Sequence, residues 1–181
     1  MKRTALLSAM AASALAMTSL MLPERRLVVW NVTPSVPTGL YLLEDRTQIG
    51  VGDHVAITPP RAMRRWLSER GYLPAGMPLL KRIAAAEGQQ VCRFRHGITI
   101  DGRLVALARA RDRLGRPLPV WAGCRTLGAH EFFALNPARA DSLDGRYFGL
   151  LPRSSILGKA VPIWTQTSRS PVIRHHPLEL P

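Results

Sequence analysis

From Thr4 to Leu22 the chain carries no charged residue; Lys2 and Arg3 stand in front of this apolar run and Pro23 ends it. As a helix it would extend about 28 Å, against a bilayer core of roughly 30 Å. The pattern predicts a membrane segment over 1–22, either a retained anchor or a signal sequence cut at Ala12-Ser13-Ala14 or Ala14-Leu15-Ala16. On both readings the rest of the chain lies across the membrane.

After Pro23 the pattern breaks into short β-branched and aromatic runs separated by turn residues. Leu27–Trp30 and Leu40–Leu43 read as strands around an irregular stretch, Asn31–Gly39, that contains two prolines. His54–Thr58 is a strand stopped by Pro59-Pro60. Met63, Trp66 and Leu67 then recur at helical spacing, predicting a helix over 61–70 capped by Gly71. Further strands are expected at Leu79–Ala84, Glu131–Leu135 and Ile156–Val161. Asp101-Gly102 between Ile98–Ile100 and Arg103–Val105 is the signature of a two-residue hairpin. Residues 106–117 are weakly patterned and read as a surface excursion; residues 166–181 read as a loose tail. The expectation is a mainly β domain over 23–165 with one short helix.

Composition narrows this. A chain of 181 residues with 46% hydrophobic and 20% charged residues holds one ordinary core and lies outside the disordered class. Its charge is +13, and only Lys2, Lys81 and Lys159 among the 25 basic residues are lysines. Such a balance points to nucleic acid or an anionic membrane surface. The arginines, however, form no dense run with interleaved aromatics, which weighs against nucleic acid. Cys92 and Cys124 are the only thiols. In an exported chain they are expected to form one disulfide, two free buried thiols being the alternative. The histidines, His54, His96, His130 and the pair His175-His176, show no metal-ligand spacing with Cys or Asp, and no metal or other cofactor is expected.

The lysine at position 81 stands out because it lies inside an apolar strand of an arginine-rich chain. Arginine does not lose its proton in proteins, whereas a desolvated lysine does so readily and then serves as a general base. A base needs a nucleophile. Ser35, between Pro34 and Pro37, has its hydroxyl in a stiff turn, and serine–lysine pairs are one form of activated nucleophile. Thr33, two residues earlier, is placed to donate to a developing oxyanion beside the Ser35 amide. Taken singly, these residues also fit a solvent-facing strand position and an ordinary turn serine.

Four segments taken in order, Thr33-Pro34-Ser35-Val36-Pro37-Thr38-Gly39-Leu40-Tyr41, Gly52-Asp53-His54-Val55, Leu80-Lys81-Arg82-Ile83 with Glu87-Gly88, and Asp141 to Gly149, resemble the sequence boxes of type I signal peptidases. The Ser-Val-Pro-Thr-Gly-Leu-Tyr form resembles their TraF branch, the conjugative-transfer peptidases that mature pilin subunits. The resemblance spans about Asn31 to Trp164. It implies the coiled β-sheet fold of signal peptidases and LexA-like proteins behind a membrane segment. It also implies Ser35 as nucleophile, Lys81 as general base, Ser142 as a hydroxyl that orients the lysine, and Asp144 and Arg146 as the pair of the last box.

The implied reaction is cleavage of an exported precursor after small residues, most narrowly the pilin, through an acyl-enzyme released by water or by an internal amine that closes a ring. The implied setting is the cytoplasmic membrane, with the catalytic domain in the periplasm and other conjugation proteins as partners. Two departures from the housekeeping enzymes stand out. Ser35-Val36-Pro37 is one residue shorter than their serine box, and Asn136-Pro137-Ala138-Arg139 replaces their Gly-Asp-Asn-Arg while Gly145 replaces a serine. The competing readings are a non-catalytic assembly component of a conjugation apparatus and a basic membrane-surface module that contacts transferred DNA.

Overall fold

The computed structural model describes residues 27–74 and 76–166. The membrane segment expected over 1–22 and the tail beyond Gln166 lie outside the described residues. Among the described residues, no helix is long and apolar enough to cross a membrane. The elements run β1 (Val28–Asn31), β2 (Thr38–Glu44), β3 (His54–Ile57), α1 (Arg61–Glu69), β4 (Leu79–Ala85), β5 (Gln90–Phe94), β6 (Gly97–Ile100) and β7 (Arg103–Leu107). They continue through β8 (Gly123–Thr126), β9 (Glu131–Ala134), α2 (Gly145–Phe148), β10 (Leu150–Pro152), a 3-10 turn at Arg153–Ser155 and β11 (Ile156–Gln166).

These strands form two antiparallel sheets, one in the order β1-β2-β11-β3-β4-β9-β10 and the other β7-β6-β5-β8. The long last strand ties the larger sheet together. Its first part pairs with β3 and the rest with β2, and register shifts at Ile156/Gly158 and Pro162/Trp164 bend it between the two. Strand β4 is buried on both faces. Leu79 and Ile83 join Val55, Leu67 and Phe132 in one apolar cluster, while Leu80 joins Val36, Tyr41, Ala56 and Ala160 in another. In strand order β2 and β4 are separated by β11 and β3. The curl of the sheet closes over the second cluster, and that closure draws the β1–β2 turn toward β4.

The helix forms where the spacing predicted. Met63 and Leu67 are buried, and the end is closed by Gly71 N–H to the Ser68 carbonyl and Tyr72 N–H to the Leu67 carbonyl, with Gly71 at φ +69. At the Asp101-Gly102 hairpin both residues have positive φ, as a type I′ turn requires. Several expectations need correction. Strand β11 runs on past Val161 to Gln166, because Trp164, Thr165 and Gln166 pair with Leu40, Gly39 and Thr38. Strands β5, β8 and β10 and helix α2 were not legible. Residues 109–117 lie at the surface as expected, but the stretch begins within β7, which runs to Leu107, and it is pinned where Ala108 and Leu118 are buried against Tyr147.

Cys92 on β5 faces Cys124 on β8 in register, and the two are joined as a disulfide. The bond closes a segment of 32 residues in sequence separation. By chain entropy that closure is worth about 3–4 kcal/mol. The double variant Cys92→Ser/Cys124→Ser should therefore unfold in urea with a stability lower by about 2–4 kcal/mol. An unchanged midpoint would show that the cross-link constrains nothing the sheet does not already hold.

Candidate active site

The turn after β1 is built on one buried side chain. Asn31 faces inward at the end of β1, and its amide nitrogen donates to the carbonyls of Thr33, Val36 and Pro37 at 2.9, 3.1 and 3.0 Å. Its Oδ1 accepts the Thr33 N–H at 3.1 Å and the Thr33 hydroxyl at 2.9 Å. The Tyr41 hydroxyl donates to the Pro37 carbonyl at 2.7 Å from the neighbouring strand. Ser35 is thereby fixed, 7% exposed, with its Oγ 3.2 Å from Thr33 Oγ1. Proton counting sets the direction of that last contact. Thr33 has one hydroxyl proton and gives it to Asn31, so Ser35 is the donor and Thr33 the acceptor.

Lys81 projects from β4 on the same face as Leu79 and Ile83 and is 3% exposed. Its Nζ donates to Ser142 Oγ at 3.2 Å. Burial lowers its pKa from 10.5 to about 8; the nearby Asp144 carboxylate acts in the opposite direction, and Arg146 reinforces the lowering. Ser35, Lys81, Thr33 and Ser142 line one cavity of about 190 Å³, whose walls also include Leu67, Tyr72, Leu79 and Leu143. Among the described residues Ser35 and Lys81 share a cavity but no direct hydrogen bond.

Asp144 and Arg146 lie behind the cavity as a buried ion pair, 0% and 1% exposed. Arg146 Nε and Nη2 reach Asp144 Oδ1 and Oδ2 at 2.9 and 2.8 Å. Asp144 also caps α2 by accepting the Arg146 amide, and it takes the Asn136 N–H at 3.0 Å. Arg146 Nη2 donates to the carbonyls of Asn136 and Arg139 at 2.8 and 2.7 Å. The pair thus laces 136–146 into a rigid loop and presents Ser142 to the lysine. Asp144 makes no hydrogen bond to Lys81.

Asn31 and Arg93 were missed in the sequence. Arg93, 1% exposed on β5, donates to the Arg146 and Pro119 carbonyls and so fastens the smaller sheet to α2. The signal for Asn31 was an asparagine two residues before a Thr-Pro turn, the spacing of an Asx turn; Arg93 in a strand gave none. Gly145, which departs from the housekeeping pattern, is explained by Phe133. A Cβ at 145 would lie 2.4 Å from Phe133 Cε2 and 2.7 Å from the Ala134 carbonyl oxygen.

Two stability measurements probe this geometry. Asn31→Ala leaves partly buried carbonyls and an amide without partners and should cost about 2–3 kcal/mol in urea unfolding, with an unchanged m value. A loss below about 0.5 kcal/mol would mean that water replaces the side chain. Lys81→Met should stabilise the domain at pH 7 by about 1–3 kcal/mol, because an amine whose folded pKa lies below its unfolded one opposes folding while it is charged in the unfolded chain. The sign follows from proton binding. Between pH 8 and 10.5 the unfolded state holds the extra proton, so wild-type stability rises with pH and the gap to the variant narrows. A gap that does not vary with pH would contradict the burial assigned to the amine.

Comparison with known proteins bears on the family. The profile "Signal peptidase, peptidase S26" matches residues 1–165. The chain is 38% identical over 147 residues to the conjugal transfer protein TraF of Agrobacterium fabrum, covering 75% of this chain and 81% of that one. It is 34% identical over 145 residues to a plasmid transfer protein TraF of Escherichia coli, with the same coverage. The crystal structure of a signal peptidase I from Enterococcus faecalis superposes with a TM-score of 0.37 at 19% identity, covering 62% of this chain and 97% of that one. The match over nearly the whole domain, with relatives above 30% identity, is decisive: the chain belongs to the peptidase S26 family of signal peptidases.

Proposed function

We propose that this protein is a membrane-bound serine endopeptidase of a conjugation apparatus, with Ser35 as nucleophile and Lys81 as general base, and that it processes an exported precursor, the pilin subunit. The observation that carries the reading is the lysine amine, buried to 3% exposure with its pKa lowered to about 8, in the cavity that also holds a partly fixed serine hydroxyl. Neither a structural strand nor an assembly scaffold needs an amine there. Members of a catalytic pair often come into contact only when substrate displaces the resting hydrogen bonds. Here those are Ser35 to Thr33 and Lys81 to Ser142.

In the reaction neutral Lys81 takes the Ser35 proton as Oγ attacks the scissile carbonyl. The developing oxyanion accepts hydrogen bonds from the Ser35 amide and from the Thr33 hydroxyl, once that hydroxyl turns from Asn31. The protonated lysine then returns its proton to the leaving amine. The acyl-enzyme is resolved by water, giving a linear product, or by the amine at the far end of the same precursor, giving a ring lighter by one water. The names of the transfer proteins to which the chain is similar support the conjugation context.

Placement at a membrane surface is supported by a patch on β1 and β11. Leu27, Val28, Trp30, Val32, Ile163 and Trp164 are 51–56% exposed, and the rings of Trp30 and Trp164 stack with centroids 5.9 Å apart. Aromatic and aliphatic side chains exposed together in this way suit the boundary between water and lipid.

Co-expression of the precursor pilin with wild type, Ser35→Ala and Lys81→Arg, read by mass spectrometry, tests the assignment. Processing should be lost in both variants, by at least about a thousandfold in rate. Arginine retains the charge but not the basicity. Processing that survives in both folded variants would make this chain a scaffold. For the wild type, kcat/KM should rise with pH through an apparent pKa of about 8, since only the neutral amine accepts a proton. A rise near pH 6 would assign the base to a histidine instead.

A further inference from the structure

Beside the Ser35–Lys81 cavity lies a larger one of about 320 Å³, and the two share Tyr72, Asp141 and Leu143 as a common wall. Its floor is apolar, formed by Leu118, Leu143 and Tyr147. Its rim is cationic: Arg70, Arg109, Arg111, Arg113 and Arg116 stand against two carboxylates, Asp112 and Asp141.

Both carboxylates are already occupied. Asp112 accepts Arg116 Nε at 2.7 Å, the Tyr72 hydroxyl, and the amides of Leu114 and Arg116 at 2.9 and 2.8 Å. Asp141 is held between Arg113 and Arg139. The other three arginines have no carboxylate partner among the described residues. Arg70 donates to the Pro117 carbonyl at 2.8 Å and lies 4.7 Å over the Trp66 ring, and Arg111 donates to the Gly115 carbonyl at 2.7 Å. The Arg109 side chain makes no hydrogen bond or ion pair among the described residues. The wall that carries these arginines is preformed. Its Arg109 amide donates to the Tyr147 hydroxyl at 3.0 Å, Leu118 N–H bonds the Ala110 carbonyl at 3.0 Å, and Arg111 bridges to Pro117. An apolar floor beneath three uncompensated guanidinium groups is a receptor for a carboxylate on a short apolar segment.

We propose that this cavity receives a carboxylate of the substrate chain, from an Asp or Glu side chain or from its C-terminus, close to the bond cut at Ser35. The inference rests on the peptidase reading, since it is the shared wall that lets one peptide occupy both cavities. An anionic lipid head group has the same charge, but the exposed tryptophans lie on β1 and β11, away from the elements that form this cavity.

The probes are decapeptides spanning the cut of the pilin precursor, in matched Glu and Gln versions and with a free or an amidated C-terminus. Fluorescence anisotropy on the full-length Ser35→Ala chain in detergent gives Kd, and the wild type gives kcat/KM. The carboxylate form should bind about tenfold more tightly at about 0.05 M salt, with most of that preference gone at about 0.5 M. The preference should vanish in Arg109→Gln/Arg111→Gln and persist in Arg103→Gln, whose arginine lies on β7. The Gln series and the amidated series separate a side-chain carboxylate from a C-terminal one.

Equal binding of carboxylate and amide forms would overturn the proposal, as would a preference that survives in the double variant. Loss of binding to phosphatidylglycerol vesicles in the double variant, with peptide preference intact, would reassign the cavity to lipid and overturn it too. Cleavage without preference would remove the cavity proposal and leave the peptidase. Preference in binding, with no peptide ever cleaved, would remove the peptidase and leave the cavity.

Discussion

The arrangement around the Ser35–Lys81 cavity depends on keeping one primary amine away from water. Lys81 sits on a strand among buried Leu79, Leu80 and Ile83, and the lowering of its pKa to about 8 is the result of that desolvation. A carboxylate close by would undo this by drawing the proton back. Asp144 is such a carboxylate, and its charge does pull the amine upward. Arg146 offsets it with a two-point contact and a charge of its own sign on the lysine. The buried pair therefore serves two ends: it holds the loop bearing Ser142 in place, and it keeps the charge of that loop nearly balanced where the amine would feel it.

The Ser35 side follows a different logic, hydrogen-bond saturation. Asn31 occupies both ends of its amide on the turn that carries Ser35, so the prolines alone do not account for the turn's shape. Because Thr33 gives its proton to Asn31, the resting serine proton points to Thr33 and not into the cavity. Among the described residues no buried side-chain nitrogen or oxygen lacks a partner. The Thr33 hydroxyl is thus committed at rest, and on the reading given above a substrate carbonyl competes with Asn31 for it. The smaller sheet takes part through Arg93, a buried cation that among the described residues bonds only carbonyls and anchors α2.

What was legible in the chain divides along physical lines. Strands with alternating or continuous apolar residues, β2, β3, β4 and β9, showed themselves, as did α1 through its spacing and its terminal glycine. Lys81 was visible by contrast of residue type, Ser35 by its place between two prolines, and Thr33 by its distance from Ser35. Strands β5 and β8 were hidden because what orders them is pairing and a disulfide: Gly123–Thr126 is almost wholly exposed, and the buried middle of β5 includes an arginine. Helix α2 has one turn, begun by an Asp whose partner lies two residues on, too short for a periodicity to register. Asn31 read as the start of an irregular stretch, although it ends β1, because its five contacts are to backbone and hydroxyl groups that no pattern of apolar positions reports.

Strand β11 has a temporal consequence. It is the last described element of the chain, yet it stands between β2 and β3 and pairs with both. A chain that emerges N-terminus first presents the serine turn early and the lysine strand midway, but the surface joining them is missing until the final strand slots in. Such pairing of distant segments is slow compared with local helix or hairpin formation. Completion of the cleft is consequently tied to the docking of β11, and proteolytic competence, on the reading given above, waits for that pairing.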